Sequence, residues 1–295
     1  MNLNFFLKKV LVFSLSTILF FFMLSQLKEY FIKTKQQSFS SNLIIGDSHS
    51  FYGIQSEILG YQNISSHGEP IILSFLKLKT LLKKNVKINN VILGIGPHSF
   101  SQFQDKKFKD PRWSVGLISG LEYLDINSKN KRDLNVNDYD FFYNKIRKRI
   151  NILDRDYYPF KLITEIKDKT IMPSEKIIEH ALYRTSIHFS EGNSTPISYK
   201  QVRYLDSINS LAKSKNIRLI ILGIPLSYDY IKHTPTKFLD LIDSVEIKNN
   251  IKVNNHFKMF NENKMFKDSD HLNQFGSKEF TDFLNNYLNK KELYE

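Results

Sequence analysis

The sequence predicts an α/β fold in which a parallel sheet is covered by helices on both faces. Three observations carry that expectation. The runs NLIIG (42–46), NNVILGIG (89–96) and IRLIILGIP (217–225) are continuously apolar, as strands buried on both faces are, rather than alternating. Between such runs lie longer stretches with apolar residues at helical spacing. The three runs also end in glycine-bearing turns, at Gly46-Asp47-Ser48, at Gly94 to His98 and at Gly223-Ile224-Pro225. Ligands of open α/β sheets sit at such carboxyl ends.

The elements follow in order. Residues 10–27, VLVFSLSTILFFFMLSQL, carry no charge and approach the ~20 apolar residues a helix needs to cross a bilayer. Phe5, Phe6 and Leu7 extend the run while Lys8 and Lys9 snorkel. Lys28, Glu29, Tyr30 and Phe31 follow, with no small-x-small cleavage pattern. Residues 1–31 are therefore expected to be an uncleaved membrane anchor, with a short tail inside and the bulk of the chain outside the cytoplasm. IKTKQQSFSS (32–41) reads as a linker, and 42–291 as the α/β domain. Within it the expectation is a strand at 42–46, a short helix around 50–59 and a weak strand at 61–65. A helix at 69–85 carries Pro70 in its first turn. After the strand at 89–96, the stretch 101–196 breaks the rhythm with charged and aromatic residues (DFFYNKIRKRINILDRDYYPF) and reads as a helical insertion. A helix at 198–216, the strand at 217–225, a helix at 234–250 and a terminal helix at 273–291 complete the domain. The apolar face of that last helix is read as Phe275, Phe280, Phe283, Leu284 and Leu288.

Composition narrows the function classes. With 295 residues, 41% hydrophobic, and a mean hydropathy of −0.33, the chain is a folded and mostly soluble protein. It has no cysteine, which excludes disulfides, thiolate metal sites and a cysteine nucleophile. The net charge is +12, but lysines such as Lys77, Lys79, Lys83, Lys84, Lys106, Lys107, Lys145 and Lys148 are scattered, as solvated surface charge is. No zinc-finger or RNP-like pattern is present, so nucleic acid is not an expected partner.

Two polar clusters carry the chemistry. NLIIGDSHSFYG (42–53) places a serine at the tip of the first strand, and FKDSDHLNQFGS (266–277) places Asp268 and His271 three apart before the last helix. At that spacing a carboxylate can accept the imidazole Nδ1–H and fix the tautomer. Ser48 would then meet the other ring nitrogen, the logic of nucleophile, base and orienter. Competing patterns fail on spacing. The G-x-S-x-G elbow lacks its second glycine, because Ser50 stands there. DSDHLN departs from a calcium loop at Leu272 and at Asn273, where glycine is required. GDSH shares the Gly-Asp-x-His of metallophosphoesterases, but no Gly-Asn-His-Glu block follows, so neither a metal nor an organic cofactor is expected. Around the clusters, His49 and Ser50 are expected to cap a helix, His67 and Glu69 to serve as turn and helix-start residues, and Asp270 to face solvent.

Gly46-Asp47-Ser48 together with Asp268-x-x-His271, in that order and at opposite ends of the domain, resembles the SGNH (GDSL-type) hydrolase/acyltransferase superfamily over residues 42–290. The resemblance implies a flavodoxin-like three-layer sandwich, with Ser48 as nucleophile, His271 as general base and Asp268 as its orienter. It implies an oxyanion hole made by the Ser48 N–H, the Gly68 N–H in SSHGEP and a third donor. The family's Gly-x-Asn-Asp block reads Gly96-Pro97-His98-Ser99 here, which puts His98 in the asparagine's place. An anchor combined with a degenerate third block is similar to extracytoplasmic acyltransferases of cell-surface polymers, such as those of teichoic-acid D-alanylation and alginate acetylation. The implied function is a membrane-anchored serine esterase or O-acyltransferase. Its substrate would be a glycan or an acylated small molecule, with a polytopic membrane acyltransferase as partner. The alternative that the degenerate block suggests is an inactive, glycan-binding or scaffolding relative.

Overall fold

The computed structural model describes residues 3–34, 38–137, 160, 162–163, 168–249 and 252–292. Five strands form one sheet: β1 (Asn42–Gly46), β2 (Gln62–Asn63), β3 (Asn90–Ile95), β4 (Arg218–Gly223) and β5 (Val253–Asn255). Their order is β2-β1-β3-β4-β5 and every pairing is parallel. Leu43 lies beside Val91, Val91 beside Leu219, and Ile221 beside Val253. This is the flavodoxin-like order, whose topological switch point falls between β1 and β3.

The helices are α1 (Leu3–Thr34), α2 (Ser48–Gly53), α3 (Ser56–Leu59), α4 (Ile71–Lys83), α5 (Phe103–Lys106), α6 (Pro111–Gly120), α7 (Ser128–Asp133), α8 (Ser174–His188), α9 (Tyr199–Ser214), α10 (Tyr228–His233), α11 (Thr236–Asn249) and α12 (Gln274–Glu292). Alternate strand residues point to opposite faces, which explains why the runs are apolar throughout. Leu43, Ile45, Val91, Leu93 and Ile221 pack with Leu76 of α4, Ile208 of α9 and Phe238 of α11. Ile44, Ile92, Ile220 and Leu222 pack on the other side with Phe280, Leu284 and Leu288 of α12. Each such buried side chain contributes about 1.5–3 kcal/mol of transfer free energy, so both helix layers are held by the same three short runs.

Several boundaries depart from the sequence reading. The apolar helix extends well beyond the uncharged run on both sides, and its candidate membrane span is Leu3–Leu24. It continues through Lys28 to Phe31 and on to Thr34, into the segment read as linker. The helix around 50–59 is two helices, broken where Ile54 and Gln55 adopt extended backbone. The short edge strand β5, only VNN, has no apolar run to mark it in sequence, because two of its three residues are polar. On α12 the buried stripe is Phe280, Leu284 and Leu288, spaced four apart, whereas Phe275 and Phe283 lie off it at 52% and 38% exposure.

The insertion leaves the sheet after β3 and returns before α9, its ends tied by an antiparallel bridge between Ser101 and Ile197. Its described part is largely helical, α5 to α8. Of DFFYNKIRKRINILDRDYYPF only Phe160 is among the described residues, and it is buried. Lys145 and Lys148 lie outside the described residues. Lys77 and Lys107 correct the expectation of solvated lysines, since both are buried.

Candidate active site

The turn after β1 explains the cluster at 47–50. Asp47 is the N-cap of α2, its Oδ1 accepting the His49 N–H at 2.9 Å. Capping thus falls to Asp47 and not to His49 or Ser50. Gly46 has φ +134°, and a Cβ there would stand 2.7 Å from the Gly94 carbonyl oxygen. Only glycine lets the strand turn so sharply against β3, and the turn leaves Ser48 at the first position of the helix.

Ser48 Oγ lies 2.8 Å from Nε2 of His271, across 223 positions of sequence. On the far side of the ring, Nδ1 is 2.9 Å from each oxygen of Asp268. Asp268 also accepts the backbone N–H groups of His271 at 2.8 Å and Asp270 at 3.1 Å, so the loop wraps around its own carboxylate. A bridge between Phe266 and Leu272 closes the loop, and Asn273 takes the N–H groups of Phe275 and Gly276 at the start of α12.

Behind this line stand charges that the sequence reading placed elsewhere. Asp270, expected in solvent, has no exposed surface. Arg184 of α8 grips it, Nε at 3.0 Å from both oxygens and Nη2 at 2.8 Å from one. His49 is sandwiched between His271 and His98, with ring centroids 4.9 Å and 4.5 Å apart, and His188 stacks on His98 at 4.6 Å. The other oxygen of Asp47 meets His98 Nε2 at 2.7 Å. An ionised carboxylate can only accept, so His98 donates its Nε2–H to Asp47, and the neutral ring has no second proton on Nδ1 to offer an oxyanion. Asp47, His49 and His98 are residue types that bind metal, but 2.7 Å between an Asp47 oxygen and His98 Nε2 is a hydrogen-bond distance. Two ligands on one tetrahedral zinc stand roughly 3.3 Å apart.

These contacts set the protonation states. Burial opposes charge on His271, yet the carboxylates of Asp270 and Asp268 outweigh it and raise the ring above its ordinary value. Burial pushes His98 down to about 4 against the pull of Asp47, and holds His188 well below the usual range. Asp47 and Asp270 lie well below ordinary carboxylates, because the histidines beside the first, and His271 and Arg184 beside the second, overcome the effect of burial.

Ser48, His271 and Asp268 open onto a cavity of about 220 Å³. Gly68 forms part of its wall with φ +65°, and the Trp113 ring packs where its Cβ would be, at 2.8 Å. The loop bearing Gly68 is pinned from behind. Glu69, expected as a helix-start residue, is buried in an ion pair with Lys77 and takes the Ser74 hydroxyl at 2.6 Å. His67 lies against Phe51 and Tyr52 at the rim. The cavity residues missed from sequence are Tyr52, Phe103, Lys107, Trp113, Arg184, His188 and Lys267. All but Tyr52 and Lys267 come from the insertion, whose placement over the strand ends no local pattern announces.

No family model matches the chain, and no curated protein matches it. Among solved structures it is similar to an acylhydrolase candidate of Bacteroides fragilis, at 12% identity over 87% of this chain and 89% of that one, with a TM-score of 0.40. It is also similar to a GDSL-like lipase of Bacteroides thetaiotaomicron, at 12% identity over 91% and 99% of the two chains, with a TM-score of 0.41. The chemistry open to the chain follows from the site's own atoms.

Proposed function

We propose that the protein is a serine esterase or O-acyltransferase, anchored by its N-terminal helix with the domain outside the cytoplasm. Its acceptor would be a cell-envelope polysaccharide or a related polymer. The observation that supports the chemistry is the unbroken line from Ser48 Oγ through His271 to Asp268, each contact within 2.9 Å.

In this mechanism Ser48 Oγ attacks the acyl carbonyl as its proton passes to His271 Nε2. Asp268 holds Nδ1–H and stabilises the imidazolium. The developing oxyanion is met by backbone N–H groups, that of Ser48 at the opening of α2 and that of Gly68. Collapse breaks the ester C–O bond, and the leaving alkoxide takes the proton from His271. A second hydroxyl, from water or from a sugar, gives its proton to His271 and attacks the acyl-serine, and Ser48 departs reprotonated. Without the third donor that His98 was expected to supply, turnover is expected to be lower by ~10²–10³ than with a complete oxyanion hole.

The apolar span Leu3–Leu24 supports anchoring, and a polytopic membrane acyltransferase is the natural source of acyl groups for a transferase held at the bilayer. A serine-reactive fluorophosphonate tests the reading. Wild type should label and Ser48→Ala should not; equal labelling of the two would overturn it. Loss of surface-glycan acylation in cells carrying Ser48→Ala, with labelled wild type as control, would place the acceptor.

A further inference from the structure

Two lysines are buried in the described domain, and their surroundings differ. Lys77 is fully met: its ammonium donates to the Ile64 carbonyl at 2.7 Å and the Ser66 hydroxyl at 3.0 Å, and pairs with Glu69. Lys107, only 3% exposed, donates to the Gly68 carbonyl at 2.9 Å, and among the described residues no carboxylate pairs with it. Its remaining contacts are ring faces, Phe103 at 4.5 Å and Trp113 at 5.2 Å from the ring centroids. An ammonium kept from water on one carbonyl and two rings has lost several kcal/mol of hydration with no ion-pair partner in contact, only the more distant field of Asp47 in its favour. Burial accordingly pushes the amine down to about 7.

Lys107 does not sit in the apolar core; it lines the cavity that holds Ser48 and His271. Arg184 reaches the same space. Its Nε and Nη2 are engaged by Asp270, whereas among the described residues Nη1 has no hydrogen-bond acceptor. The two carboxylates of the cavity wall are already committed, Asp47 to His49 and His98, Asp268 to His271. One side of the cavity therefore carries a buried amine with no ion-pair partner beside a guanidinium with one nitrogen left over from its pair with Asp270.

We propose that the cavity binds an anionic group of the substrate, a carboxylate or a phosphate, between Lys107 and Arg184 and against the Trp113 ring. That the anion belongs to a substrate rests on the reading of Ser48 as the acylated residue; the anion site stands on its own contacts. An anion there supplies the missing counter-charge and draws Lys107 into its protonated form. The favoured esters carry negative charge close to the acyl carbon, on the acyl or the alcohol side, and neutral alkyl esters are poor substrates.

Trp113 is the single tryptophan of the chain, so it reports on this wall alone. Its fluorescence can be titrated in the full-length protein in detergent with butyrate, with inorganic phosphate and with neutral butyramide, in the Ser48→Ala background so that no chemistry intervenes. A saturable change is expected with at least one of the two anions and not with butyramide. Lys107→Met should move the midpoint at least tenfold, and Lys107→Arg should keep it within a few fold. Response to butyrate alone assigns a carboxylate, and response to phosphate alone a phosphoryl group. No saturable response to either anion in the protein with Lys107 intact, or an unchanged midpoint in Lys107→Met, overturns the proposal. Fluorophosphonate labelling of the parent protein is read separately. A silent titration with intact labelling sinks the anion site alone, and absent labelling with a working titration sinks the acyl chemistry alone.

Discussion

A carboxylate with no exposed surface, Asp270, lies 3.7 Å from His271 Nδ1 without being its hydrogen-bond partner. Its effect on the base is electrostatic, whereas that of Asp268 is also geometric, and two substitutions separate them. Asp268→Asn removes the acceptor that fixes the His271 tautomer, and turnover should fall by ~10⁴ while Ser48 stays in place. Asp270→Asn leaves that hydrogen bond but removes a charge that raises the ring's pKa. Activity needs neutral His271, so the acid limb of kcat/KM sits above the ordinary histidine value in the parent. In Asp270→Asn the base titrates lower, and the limb should move toward acid pH. Profiles measured on a fluorogenic ester decide this; an alkaline shift would contradict the assignment. The charge behind the base was the part of the site least legible in sequence. Asp270 reads as one more loop acid, and its partner Arg184 comes from the insertion, 86 positions away.

At the scale of elements, the loop between β2 and α4 carries Gly68 but has little apolar surface with which to anchor itself. The ion pair of Lys77 with Glu69 holds it, because Lys77 projects from α4 to the Ile64 carbonyl and the Ser66 hydroxyl at the loop's start. Lys77→Met leaves the Glu69 carboxylate buried without its ion-pair partner, and should destabilise the domain by about 3–5 kcal/mol in denaturant titrations. The double variant Lys77→Met, Glu69→Gln should recover most of that stability, as no isolated charge remains. It should recover less of the activity, because the loop start has still lost its donor. The strands β1, β3 and β4 and the helices α4, α9 and α12 were legible because period and apolarity coincide in them. Asp268 and His271 were legible because their spacing is local. Lys77 and Lys107 were not, since nothing in a lysine's immediate sequence distinguishes a buried ammonium from a solvated one.

For the molecule as a whole, the stacked histidines make stability depend on pH in both directions. His98 titrates near 4 in the folded state against about 6.5 unfolded, and His188 is lowered in the same sense, in both cases chiefly by burial. Between these limits the unfolded chain binds protons that the folded chain refuses, so stability is present above about pH 6.5 and is lost as pH falls toward 4. Each such group contributes a slope of about 1.4 kcal/mol per pH unit inside its window. His271 works in the opposite sense, because its folded value is raised. Its contribution is present below about pH 6.5 and is lost as pH rises through the folded value. Asp47 and Asp270, held well below ordinary carboxylates, add a loss only at lower pH still. The contribution of these rings is therefore greatest near pH 6.5 and declines on either side. Thermal unfolding of the full-length protein in detergent, followed by Trp113 fluorescence from pH 4 to 9, should show that maximum. His98→Gln should flatten the acid side and leave the alkaline side, whereas His271→Gln should do the reverse. A parent profile that rises steadily from pH 6.5 to pH 4 would mean that His98 and His188 are charged within the fold, and their neutral form would have to be abandoned.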